Sequence, residues 1–156
     1  GEFPKGGALL TAEGRRTRHY DEARRINAEL LQLGPTLMQM TSTGVQRLSS
    51  GRTLTNAPTG SAVRALARVG DDPDNEFVVG SFQHRDGRRG VLIVNHNTAF
   101  TAWPTVTFDA SAGAILEVDK ATGRTDPVVD DSPELPGLQI SFGPGDGRLF
   151  LLPAGP

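Results

Sequence analysis

Apolar positions along the chain keep two different periods. At Tyr20, Ala23, Ile26, Leu30 and Leu33 they recur in steps of three and four, which predicts an amphipathic α-helix over residues 20–33. Asp21 and Glu22 fall in its first turn, where the helix dipole favours anions. Gly34 and Pro35 read as the stop, since Gly tolerates a left-handed cap and Pro cannot continue the hydrogen-bond ladder. Leu37, Met38 and Met40 carry the apolar character into a short further turn. Upstream, residues 8–11 read as a short extended piece and residues 12–15 as a turn.

From about Val45 the period changes to two. Candidate strands cover residues 45–48, 62–69, 77–83, 90–95, 105–108, 114–119, 138–142 and 148–152. Asp86-Gly87 between two β-rich runs is the strongest hairpin signal, and Thr122-Gly123 and Asp146-Gly147 mark two more turns. The expected fold class is mostly β: an antiparallel, jelly-roll-like β-sandwich preceded by one amphipathic α-helix. Residues 1–3 read as a cloning remnant, 4–40 as a helical segment and 41–156 as the sandwich. A lone helix cannot bury its stripe, so this one is expected to fold back onto the sheet or to drive self-association.

Composition reinforces this picture, because 19 Gly and 11 Pro leave little room for long helices. A net charge of −2 argues against a nucleic-acid partner, and no apolar run reaches the ~20 residues needed to span a bilayer, so no membrane partner is expected. With no Cys, disulfides and thiolate metal sites are excluded, and both secretion and the cytoplasm remain open.

Candidate chemistry is sparse. Asp71, Asp72, Asp74, Asp86, Asp130, Asp131 and Asp146 fall in turns, which explains Asp without catalysis. The acidic loop at 71–76 lacks the spaced ligand pattern of a calcium site. A hairpin centred on Asp86-Gly87 sets His84 and His96 about 20 Å apart at ~3.3 Å per residue, too far to share a metal. His19 reads as a solvated or capping residue. No nucleophile elbow or phosphate-binding loop is present. Phe77, Phe82, Phe108, Phe142 and Phe150 are expected in the core. Trp103, with Asn95 and Asn97 nearby in sequence, is the candidate carbohydrate contact; an aromatic ring can stack on the apolar face of a sugar. The bland alternative is that Trp103 packs at the sandwich edge.

The segments Gly14-Arg15-Arg16-Thr17, Tyr20-Asp21-Glu22-Ala23-Arg24-Arg25-Ile26-Asn27-Ala28-Glu29-Leu30 and Leu33-Gly34-Pro35 resemble the last helix of a (β/α)8 barrel in bacterial glycoside hydrolases. The likeness is to β-galactosidase-like enzymes of families 42 and 39. Gly143 to Leu152 looks like the final strand of the β-domain that follows such barrels, and residues 77–95 are similar to a hairpin of that domain. The resemblance implies a non-catalytic accessory β-sandwich that stabilises or orients a catalytic barrel of the same parent chain, or aids oligomerisation. It also implies that the catalytic carboxylates lie before residue 1, so no catalytic residue, metal or cofactor is assigned here. The alternative is an autonomous carbohydrate-binding module that contacts sugar through Trp103.

Overall fold

A computed structural model describes residues 8–49, 62–67 and 75–155. Residues 1–3, expected to be a cloning remnant, the tail of the second expected strand at 68–69 and the acidic positions 71–74 lie outside the described residues. Leu10 and Arg16 form a single antiparallel bridge around a turn with Gly14 at φ +76°, the extended piece and turn expected there. Helix α1 (Arg18–Leu37) follows, then β1 (Met40–Ser49), β2 (Val63–Ala67), β3 (Glu76–His84), β4 (Arg89–Asn95), β5 (Thr105–Phe108), β6 (Leu116–Val118), β7 (Thr125–Pro127), β8 (Leu138–Gln139) and β9 (Gly147–Leu152). The strands form a six-stranded sheet in the order β1-β3-β4-β9-β6-β7 and a three-stranded sheet in the order β2-β5-β8. Among the described residues every pairing is antiparallel, so the protein is a mostly β sandwich preceded by one helix, as its periodicity predicts.

The main core lies between the sheets. Phe77, Val79, Val91, Ile93, Phe150 and Leu152 from the larger sheet meet Val63, Leu66, Val106, Ile140 and Phe142 from the smaller layer. Two edge-to-face ring pairs cross this interface, Phe77–Phe142 at 5.6 Å and Phe108–Phe150 at 5.4 Å. Strand β9 is covered on both faces. Phe150 and Leu152 point into the main core, while Leu149 and Leu151 join a second cluster with Leu33, Val118, Leu92 and Leu116. Burial on both faces explains why residues 149–152 read as an unbroken apolar run.

Helix α1 departs from expectation in two ways. It runs through Pro35 and ends at Leu37. Gly34 is helical and keeps a negative φ; having no Cβ, it escapes the clash that usually bars the α conformation before Pro. The helix also uses only part of its stripe. Leu33 is 7% exposed and packs with Leu37 on the outer face of the large sheet, whereas Ile26, Leu30 and Leu31 are 49%, 52% and 75% exposed. The last turns of α1, at Leu33 and Leu37, therefore seat on the sheet, and the apolar side chains of Ile26, Leu30 and Leu31 before them stay uncovered.

The sheet also differs from the periodicity reading: β1 begins at Met40, which was expected in a turn after the helix, five residues before the expected strand at 45–48. Strand β7 has no alternation to announce it and exists only by pairing with β6. Ala114 belongs to a 3-10 turn, Ala112–Ala114. Phe82 is on the outer face, because its register opposite Gly90 turns it away from the main core; there its ring covers Gly80, whose absent Cβ would lie 3.1 Å from it.

Candidate functional site

The loop that follows β4 begins at a buried amide. Asn95 ends β4 opposite Phe77 and has no exposed surface. Its Nδ2 donates to the carbonyls of Phe100 (3.0 Å), Gly143 (3.0 Å) and Phe142 (3.3 Å), so two hydrogens serve three acceptors. Its Oδ1 accepts from Asn97 N–H at 3.0 Å. Asn97 repeats the device one step on: its Oδ1 accepts from the N–H groups of Ala99 and Phe100, and its Nδ2 donates to Asn75 Oδ1 at 3.1 Å. Such Asx turns are a standard use of Asn where a chain must reverse.

The far side of the loop is tied to the neighbouring turn. Gly145 N–H donates to Asn97 C=O at 2.8 Å, Ala102 and Phe142 exchange two backbone bonds, and Ile140 N–H donates to Pro104 C=O. Ala102 and Pro104 are buried, and between them Trp103 is 45% exposed. Phe100 stands out further, at 63%. Of the three residues singled out in the sequence, Trp103 is thus at the surface, Asn97 is half-buried and Asn95 lies beneath the loop with its amide spent on backbone. Phe100 was missed by sequence reasoning; its one signal is that it belongs to no alternating run.

The charged groups pair among themselves. Asp109 accepts from Arg64 at 2.6 Å and from Arg89 Nη1 at 3.0 Å, while Arg89 also donates to the backbone carbonyls of Asp109 and Pro153. These bonds, that from Arg64 first, hold the Asp109 carboxyl below the usual carboxylate range against the opposing effect of burial. Asp86 is lowered further still, chiefly by the Arg88 side chain and backbone, with His84 adding to them. Asp119 is lowered by accepting from the N–H groups of Ala121 and Thr122 in the β6–β7 turn. Glu117 forms a two-bond pair with Arg148, whose guanidinium lies 5.7 Å from the Phe142 ring and 5.8 Å from Phe150. Beside this pair opens a cavity of about 390 Å³ that also takes in Asp119, Lys120, Asp126, Pro127 and Val129. Lys120 is held by Asp146 and stands 3.7 Å from Glu29 of α1.

The histidines sit apart. His84 is buried at the β3–β4 turn, its Nδ1 2.7 Å from Asp86, while His96 is exposed at the opposite end of the hairpin, 3.5 Å from Glu76. His19 lies in the first turn of α1 near Glu22. Among the described residues, no group of three or more His, Asp or Glu is placed to hold a metal, and no helix is long and apolar enough to cross a membrane. Comparison with protein-family models, curated proteins and solved structures finds no match for this chain.

Proposed function

We propose that the chain is a non-catalytic accessory β-sandwich of a bacterial glycoside hydrolase, joined through α1 to a catalytic (β/α)8 barrel in the same parent polypeptide. The observation that carries the reading is the partly seated helix. Leu33 and Leu37 anchor its last turns on the sheet, while Ile26, Leu30 and Leu31 before them stay uncovered. An aliphatic patch on a helix joined to a folded body suits an interdomain contact.

The test is genetic and then physical. The encoding locus is expected to continue upstream into a (β/α)8 pattern with two strand-end Glu residues. In the uninterrupted polypeptide, Ile26→Asp with Leu30→Asp is expected to lower the melting temperature of the barrel while leaving the isolated 156-residue chain unchanged. Hydrolysis of chromogenic glycosides by that isolated chain, or an upstream reading frame without a barrel, would defeat the proposal.

A further inference from the structure

We propose that the loop of residues 97–104 is a contact site for a neutral saccharide, with Phe100 and Trp103 as its stacking faces. Among the described residues, the exposed large apolar side chains elsewhere are Leu, Ile, Val and Met; the aromatic ones, Phe100 and Trp103, both stand on this loop. Aromatic faces carry negative charge density that attracts the polarised C–H groups of a pyranose, an affinity that aliphatic side chains lack.

Two further observations separate this loop from a chance exposure of rings. The first is preorganisation. Asn95, with no surface of its own, ties Phe100 C=O to the carbonyls of Phe142 and Gly143, and Asn97 C=O, Ala102 and Pro104 are bonded to the turn at 140–145. A platform already held by its own backbone loses little conformational entropy when a ligand lands on it. The second is the chemistry of the rim. Residues 97–105 carry no charged side chain and offer Thr98, Thr101 and the Asn97 amide. The one partner of Asn97 Nδ2 among the described residues is Asn75, so its second N–H remains for a hydroxyl. Amides and hydroxyls beside aromatic faces match an uncharged polyol, whereas an acidic sugar would ask for a cation that this stretch does not contain.

The site is independent of α1, so its failure would leave the accessory role untouched, and the reverse holds too. Trp103 is the sole indole and reports directly. The 156-residue chain would be titrated with cellopentaose, xylopentaose, maltopentaose, laminaripentaose, chitopentaose and β-1,4-galactotetraose, with tetragalacturonate as the acidic comparison. At least one neutral oligosaccharide is expected to give a saturable change in Trp103 emission. By calorimetry, Phe100→Ala and Phe100→Leu should each weaken that ligand at least about tenfold, with thermal midpoints unchanged. Phe100→Leu keeps apolar bulk and loses the ring, so it separates stacking from packing. The proposal is overturned by no change for any neutral sugar up to about 10 mM, by response to tetragalacturonate alone, or by unaltered affinity in both Phe100 variants, as a surface reserved for a protein partner would give.

Discussion

The side-chain amide of Asn95 donates to the backbone carbonyl of Phe100 at 3.0 Å, so a residue with no exposed surface sets where the exposed rings of its loop stand. The same amide reaches the carbonyls of Phe142 and Gly143 on the other side. Asn95→Ala takes the Asn95 donor from Phe100 C=O, leaves the carbonyls of Phe142 and Gly143 with only their bonds from Ala102 and Asp146 N–H, and opens a small void. A loss of about 2–4 kcal/mol in urea denaturation is expected. An effect under about 0.5 kcal/mol would mean that the loop is held by its backbone bonds alone.

Helix α1 offers an internal control. Leu33 is buried in the second cluster, and Leu33→Ala should cost about 2–3 kcal/mol. Leu30→Ala and Leu31→Ala remove exposed side chains and should stay within about 0.5 kcal/mol. Equal losses at all three positions would show that the helix is covered along its whole length in solution.

Asp109 links the layers by pairing with Arg64 of β2 and Arg89 of β4. With a third of its side chain exposed, solvent screening discounts the ion pairs, and Asp109→Asn is expected to cost about 1–2 kcal/mol. Urea denaturation of Asp109→Asn, Arg89→Gln and the double variant measures the coupling, and additive losses would remove the claim that the two act as a pair.

Acid should weaken the protein in a defined window. The carboxyls of Asp86, Asp109 and Asp119 are lowered in the folded state from an ordinary value of 3.8. A depressed folded pKa contributes stability that is complete above the unfolded value and is lost as pH falls through the folded one. The thermal midpoint is therefore expected to hold steady from about pH 5 upward and to drop below about pH 4. Asp109→Asn should show a shallower acid drop, and an unchanged slope in that variant would refute its share.

Periodicity by itself determined the class of the fold and most of its elements. Period-two alternation located the strands, and Asp86-Gly87 marked the β3–β4 turn, because both signals are local. The extra length of α1 was less legible, since Gly34-Pro35 reads as a stop unless the missing Cβ of Gly34 is weighed against the ring of Pro35. Strand β7 was not legible at all: Thr125, Asp126 and Pro127 are extended because β6 offers an edge to pair with.

Of the candidate site, the sequence alone determined that Trp103 is the sole indole and that a neutral, Asn-containing stretch surrounds it. Only the tertiary structure decided which of these residues faces solvent. Asn95 is buried because the turn at 142–146 closes over it, and Phe100 is exposed because Asn95 and Asn97 bend the loop outward. The last turns of α1 are seated while Ile26, Leu30 and Leu31 are bare for the same reason. An amphipathic stripe records that a face seeks burial, and only the extent of the sheet beneath it settles how much of that face is covered.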